Sequence, residues 1–327
     1  MSCLVEYVWI GGNGELRSKT KVMDKVVTSH TECPEWNFDG SSTGQAHGDD
    51  SEVLIRARAM FNDPFRGAPH KMVMCDAYKP DGTPHLTNKR VWANEVFNKK
   101  LDEVPWFGLE QEYFLINPTT GMPLGFPAGG LPPAQGQYYC SAGAANAFGR
   151  PIAEEHLIAC ITAGIKISGM NAEVAPGQWE YQIGPCTGIG QGDHHWMARF
   201  LLERVSEKHG AVVNLHPKPI SGDWNGSGCH ANYSTKAMRE GADGKTGLDF
   251  IDAAIEKLSA KHAEHMAAYG TGNELRMTGQ HETASFDKFT HGVASRGRSV
   301  RRGNQTMKAK KGYFVLVPTV TLTRSLA

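Results

Sequence analysis

Glu110 and Glu112 stand two residues apart in the stretch Phe107-Gly-Leu-Glu-Gln-Glu-Tyr-Phe-Leu115. Polar and apolar residues alternate there between aromatic flanks, so the stretch reads as a strand. Residues two apart on a strand share a face, which sets the two carboxylates side by side. Such neighbours repel unless a cation lies between them or one keeps a proton. Alone, the pattern fits an exposed edge strand with solvated acids equally well. A second stretch, Asn171-Ala-Glu-Val-Ala-Pro-Gly-Gln-Trp-Glu-Tyr-Gln-Ile-Gly-Pro185, places Glu173 before a Pro-Gly turn and Glu180 after it. Trp179, Tyr181 and Ile183 alternate with Glu180 and Gln182, so the segment reads as a hairpin with one acid on each arm. Four acids flanked by large apolar groups are costly to bury without a counter-charge. A hard divalent cation, Mg²⁺ or Mn²⁺ rather than zinc, suits such oxygen ligands.

Three further segments carry chemistry-bearing types. Lys218 to His230 is glycine-dense, which permits close backbone approach to a ligand. His230 at its end fits a satisfied core histidine or, beside four acids, a contact to metal or phosphate. Arg296, Arg298, Arg301 and Arg302 form a basic cluster that is either a solvated patch or a phosphate grip. No aromatic platform is interleaved with it, which disfavours nucleic acid. Asn37-Phe-Asp-Gly-Ser-Ser-Thr43 reads as a polar loop, because Asp-Gly and Ser-Ser are turn chemistry. The adjacent His194 and His195 lie on a helix about 100° apart, so they do not share a metal and are assigned to structure.

The elements that must position these groups follow from the pattern between them. Val5–Ile10 and Leu16–Val22 form an opening hairpin, and Lys71–Cys75 is a buried strand. The turn at Asp81-Gly-Thr-Pro84 leads into a second domain. Lys89–Leu101 has helical spacing. Gly121–Gly136 is an irregular, Gly- and Pro-rich loop over the mouth of the site. Ile152–Gly164 is an amphipathic helix burying Ile152, His156, Ala159, Cys160 and Ala163. Asp193–His209 and Gly247–Tyr269 are long helical stretches.

A chain of 327 residues can hold two domains. Hydrophobic residues at 40% and charged ones at 21% are ordinary for a globular protein. Lys plus Arg equals Asp plus Glu, 34 each, so no bulk field favours nucleic acid or anionic lipid. Seven scattered cysteines without a C-x-x-C pair suggest reduced thiols and a cytoplasmic setting. No signal pattern or membrane-length apolar run is seen, so no membrane is expected.

With these residues in view, the chain resembles glutamine synthetases of the eukaryotic type. The acid-bearing stretches carry the resemblance, together with Trp36-Asn-Phe-Asp-Gly-Ser-Ser-Thr43, Pro217-Lys-Pro219, Asn225-Gly-Ser-Gly-Cys-His230, Ser234-Thr-Lys-Ala-Met-Arg239 and Gly279-Gln-His-Glu-Thr283. The resemblance implies an α+β fold. A β-grasp domain would span residues 1–86. A catalytic domain with a curved antiparallel sheet and flanking helices, of the glutamine-synthetase and guanido-kinase kind, would span 87–327. It implies ATP-dependent ligation of ammonium to L-glutamate through γ-glutamyl phosphate. The metal ligands would be Glu110, Glu173 and Glu180 for one ion, and Glu112 with His230 for the other. Glutamate would be held by Glu110, Asn225, Gly226, His230, Arg276 and Arg296. Nucleotide would lie against Trp106, Arg296 and Arg301, since no Walker-type loop is present. Asp39, Ser42, Tyr139 and Glu282 would form the ammonium pocket. Asp39 and Glu282 would take the proton and, with Arg296, act in catalysis. The resemblance also implies a ring, two stacked pentamers, in which the Asp39 loop completes the neighbour's site. Family members carry a further N-terminal segment that is absent from this sequence.

The resemblance fails after Phe314. Members of the family continue with an acid, then Asp-Arg-Arg-Pro and an Asn-x-Asp-Pro-Tyr segment. The acid is a metal ligand and the first arginine grips substrate. Here Val315 to Ala327 contains no carboxylate side chain. One set of codons for Val315–Thr323, shifted by one base, encodes Arg-Pro-Ser-Ala-Asn-Cys-Asp-Pro-Tyr. A shifted reading frame is therefore expected, and the gene's nucleotide sequence decides it. Loss of the acid and the arginine is expected to impair catalysis, and the uncharged, β-prone tail to favour aggregation. Two other classes fit less well: a non-catalytic relative that keeps the ring, and another ligase or guanidino kinase on the same scaffold.

Overall fold

The computed structural model describes residues 1–280 and 283–317. Its N-terminal part is one five-stranded sheet built from β1 (Cys3–Ile10), β2 (Leu16–Met23), β3 (Trp36–Asp39), β4 (Glu52–Asn62) and β5 (Lys71–Tyr78). The strand order is β2-β1-β5-β4-β3, with β1 and β5 parallel and the other pairs antiparallel. Two of these strands differ from expectation. Trp36–Asp39 is extended rather than looped, because β4 offers it an antiparallel edge from Trp36↔Ile55 to Asp39↔Glu52. The turn chemistry takes hold only afterwards, at the 3₁₀ turn Ser41–Thr43. β4 itself carries Arg56 and Arg58 and a bulge between Ala57 and Ala59 that interrupts its alternation.

Helix α1 (Lys89–Asn98) leads to the long strand β6 (Trp106–Ile116). Then come α2 (Arg150–Ala163), β7 (Ile167–Ala172), β8 (Gln178–Thr187), α3 (Gly190–His209), β9 (Val212–Asn214) and β10 (Cys229–Ser234). Short helices follow: α4 (Lys236–Glu240), α5 (Gly247–Ser259), α6 (His262–Ala268) and α7 (Asn273–Arg276). The expected single helix over 247–269 is therefore two, separated at Ala260 and Lys261. The chain then forms β11 (His291–Val293), β12 (Val300–Arg302), α8 (Asn304–Ala309) and β13 (Phe314–Leu316). Eight strands make the second sheet, in the order β11-β12-β13-β10-β6-β8-β7, with β9 also on β6. Its pairs are antiparallel except β11 with β12, which are parallel.

Helices α2 and α3 cover one face of the second sheet. The face of α2 carrying Ile152, His156, Ala159, Cys160 and Ala163 is buried as the periodicity predicts. It packs with Met197, Leu201 and Val205 of α3 on Tyr113 and Tyr181. Val8, Phe61, Met72 and Met74 of the first sheet join this core, so the two sheets share apolar packing. Two buried ion-pair clusters clamp the same junction. Arg90 forks onto Asp193 at 2.7 and 2.8 Å, and Glu6 accepts from Arg66 at 2.6 Å and Arg204 at 3.1 Å. His194 accepts from the Lys166 N–H and His195 is buried in the core, so neither offers a metal site. No helix among the described residues is long and apolar enough to cross a membrane.

Candidate active site

Strand register builds the site. On β6, Glu110 and Glu112 face away from the helices, while Gln111 and Tyr113 point into the core. Glu112 stands opposite Glu180 on β8, and Glu110 stands opposite His230 on β10. Glu173 follows the last residue of β7, and its N–H donates to the Gln178 carbonyl at 2.9 Å, closing the hairpin. Carboxylate oxygens of Glu112, Glu173 and Glu180 all lie within 4.8 Å of one another, and all three residues are buried.

This register groups the side chains differently from the expected division of ligands. Glu112, not Glu110, joins Glu173 and Glu180. Glu110, not Glu112, meets His230, with Nδ1 3.2 Å from Oε2. The cause is the pairing frame. A two-residue step along β6 moves a carboxylate from the β10 histidine toward the β8 acid, and spacing within β6 cannot tell the two apart.

The electrostatics separate the two loci. Burial, then the Glu112 charge, push the Glu173 carboxyl up to about 8. Burial, then Glu112, Glu173 and Glu110, push Glu180 up to about 8 as well. Burial and mutual crowding thus favour the protonated form at this cluster in the absence of a cation. Glu110 behaves in the opposite way. Burial raises it, but hydrogen bonding and charge from His230, with Asn232 and Arg301, outweigh that and hold it at about 2. Glu112 accepts the Gly228 N–H at 2.5 Å, and Asn232 donates to Glu110 at 2.7 Å. His230 Nε2 is buried and has no hydrogen-bond partner among the described residues. Three converging carboxylates and an orphaned imidazole nitrogen suit divalent cations.

These groups line a cavity of about 260 Å³. Arg276, Arg296 and Arg301 reach it from three separate segments, and Tyr139 and Asn225 close its rim. Burial pushes the Tyr139 phenol up, and the nearby Arg296 guanidinium pulls the other way. Asn225 takes Gln135 Oε1 on its backbone N–H at 2.8 Å. The lack of a Cβ at Gly228 lets Arg276 and His230 approach one another: a carbon there would lie 2.6 Å from Arg276 Nη2.

Other expected residues stand apart from this cavity. Gly226 is beneath it, its carbonyl accepting from Gln178 at 3.1 Å, and a side chain there would collide with Pro217. Trp106 borders a second, largely apolar cavity of about 440 Å³ that shares Glu110 with the first. The Arg239 guanidinium stacks 3.8 Å above the Trp106 ring. Arg302 turns away to Asp252, and Arg298 is exposed. Asp39 and Ser42 are exposed on the first sheet and line neither cavity. The Ser41 and Ser42 hydroxyls donate to Asp39 at 2.6 and 2.7 Å and, with the Ser41 N–H, hold it at about 2. Glu282 lies outside the described residues.

Sequence reasoning missed Asn171, Gln182 and Asn232. Asn171 donates to Glu173 at 3.0 Å, and the Gln182 amide bonds both Glu180 and Asn171. Spacing of two would have found all three: Asn171 precedes Glu173 by two residues, Gln182 follows Glu180 by two, and Asn232 follows His230 by two. Beyond Phe314, β13 sets Val315 opposite both Asn232 and Arg301, and Val317 lines the cavity. Two apolar side chains thus occupy the edge of the site beside His230.

Residues 1–80 match the family "Glutamine synthetase, beta-Grasp domain", and residues 87–267 match "Glutamine synthetase, catalytic domain". The chain is 56% identical to a chloroplastic glutamine synthetase of Brassica napus, over 95% of this chain and 72% of that one. It is 56% identical to a cytosolic isozyme of Medicago sativa, over 95% and 87% of the two chains. A cytosolic isozyme of Daucus carota is also 56% identical, over 95% and 88%. Both domains are matched in order and plant enzymes align along nearly the whole chain, so the chain belongs to the glutamine synthetase family, in its eukaryotic type.

Proposed function

We infer that the chain is a glutamate–ammonia ligase, making glutamine from L-glutamate, ammonium and ATP. One observation carries the reading: the Glu112, Glu173 and Glu180 cluster shares a cavity with Arg276, Arg296 and Arg301 in a chain of this family. Glu112, Glu173 and Glu180 would hold one divalent ion, Mg²⁺ or Mn²⁺, while Glu110 and His230 are two ligands of a second locus that lacks its third carboxylate in this chain. Bound there, such ions supply positive charge to phosphate oxygens.

The chain's own groups supply the rest. Arg296 and Arg301 grip the transferring phosphoryl group with planar, permanently charged forks. Arg276, Asn225 and the Gly226 backbone orient glutamate so that a γ-carboxylate oxygen attacks the γ-phosphorus in line. The bond to ADP breaks as the acyl phosphate forms. The nucleotide base lies in the apolar cavity beside Trp106. Tyr139 and the acids around it hold ammonium. After a proton leaves to a carboxylate, the nitrogen attacks the acyl carbon and phosphate departs. Asp39, held at about 2, is a weak base and acts mainly as fixed negative charge for the cation. Glu282 would take the proton.

Asp39 and Ser42 serve the site of a neighbouring subunit in a ring, in the decameric arrangement of the family. Relatives include both cytosolic and chloroplastic enzymes. The cytosol is the compartment proposed here. Turnover is low because Val315 and Val317 stand where a carboxylate and an arginine belong. Phosphate release requiring ATP, glutamate and ammonium together tests the reading. The double variant Val315→Glu, Val317→Arg should exceed the parent by about 10²-fold or more. Release in that variant without dependence on glutamate and ammonium would overturn the assignment. Full turnover in the parent would overturn the impairment.

A further inference from the structure

On the far side of β6 from the metal acids lies a third cavity, of about 510 Å³, between the β1–β2 turn, α3 and β9. Leu16, Ile116, Trp196, Leu202 and Leu215 give it an apolar wall. Arg199 enters this wall and is only 3% exposed. Its Nε and Nη2 both donate to a single neutral oxygen, Gln111 Oε1, and its guanidinium stacks on Trp196 with 5.0 Å to the ring centroid. It forms no ion pair among the described residues. Of the acids on the wall, Glu15 is bound by Arg17 at 2.6 Å. Lys218, whose ammonium donates to the Trp224 carbonyl, also lines the cavity. A buried guanidinium satisfied only by a neutral amide is costly. A carboxylate offering two oxygens is its best-matched partner. The volume falls within the usual range for small-molecule sites, about 300–1,000 Å³.

We propose that this cavity binds a small monocarboxylate with an apolar or aromatic body, and that its occupancy reaches the metal acids through Arg199 and Gln111. The connection is short. Gln111 lies between Glu110 and Glu112, and its Nε2 donates to the Glu112 carbonyl at 2.6 Å and the Gly228 carbonyl at 3.4 Å. Gly228 in turn donates its N–H to the Glu112 carboxylate. A carboxylate that draws the guanidinium from Gln111 shifts the amide that braces both strands. The effect must be reciprocal: metal binding changes ligand affinity by the same factor.

Calorimetry on the metal-free full chain, with benzoate as the probe, tests the site without substrates or turnover. Benzoate should bind saturably, and the uncharged isostere benzamide at least about tenfold more weakly. Arg199→Gln should abolish binding. Val212→Trp, at a half-exposed position on the cavity wall, should block it even if the arginine variant fails to fold. Saturating benzoate should then change Mn²⁺ affinity at least about fivefold. No benzoate binding, equal binding of benzamide, or unchanged binding to Val212→Trp overturns the site. Inorganic phosphate binding as tightly as benzoate overturns the apolar body. Binding that leaves Mn²⁺ affinity unchanged overturns the coupling. Because the benzoate measurement contains neither metal nor substrate, its failure is distinct from failure of the ligase reading.

Discussion

Burial and the neighbouring Glu112 favour the protonated forms of Glu173 and Glu180, so on the proposed reading a cation entering there displaces protons. Their carboxyls stand at about 8 because they are buried and because Glu112 sits beside both. Mn²⁺ affinity should therefore climb steeply from pH 5 to about 8 and then level off. Titration calorimetry in buffers of different ionisation enthalpy should show proton release at pH 7 that vanishes above pH 9. Stability runs the other way. Between the ordinary 4.5 and about 8, the folded metal-free chain holds more protons on these acids than the unfolded chain does. Its stability must therefore fall as pH rises through that window. Glu112→Gln removes the charge common to both shifts. The metal-free variant should show a shallower decline with pH by denaturant unfolding, burial keeping part of it, while its Mn²⁺ affinity falls at least about tenfold. A variant that kept the same pH slope would show that burial alone sets the two carboxyls.

Among the elements, β6 and the β7–β8 hairpin were legible because period two and a Pro-Gly turn act within a few residues. The buried face of α2 was legible for the same reason, at a period of 3.6. What escaped depends on partners distant in sequence. Trp36–Asp39 is a strand only because β4 pairs with it. The frame of β6 against β8 and β10 decides which acid meets which, and no local signal encodes that frame. The same frame yields a prediction for β13. Val315 faces Asn232 and Arg301 on the site side, next to Glu110 and His230, so the chain should bind one Mn²⁺ at the three-carboxylate locus. Val315→Glu should add a second. Counting bound ions by electron paramagnetic resonance checks this independently of activity, and two ions in the parent would contradict it.

At the scale of the molecule, the metal acids and the ammonium-directed acid belong, on the proposed reading, to different assemblies. Glu110, Glu112, Glu173, Glu180 and His230 come from adjacent strands of one sheet, so a single chain completes that cluster. Asp39 sits on the other sheet, exposed and outside its own chain's cavities. The two sheets cannot simply swing together to join them. Shared apolar packing, the Arg90–Asp193 fork and the Arg66–Glu6–Arg204 cluster hold the junction. On the proposed reading, a second chain would present its Asp39 to the site. Dilution should consequently separate two properties. Below the concentration at which sedimentation shows the oligomer dissociating, ammonium-dependent phosphate release should disappear, while Mn²⁺ binding to the Glu112 cluster persists with little change. Asp39→Asn should reproduce that separation without dissociation, reducing ammonium-dependent turnover in the intact oligomer and sparing the metal. Were metal binding and turnover lost together on dilution, the cluster would need its neighbour as well, and the single-chain geometry would not be the working site.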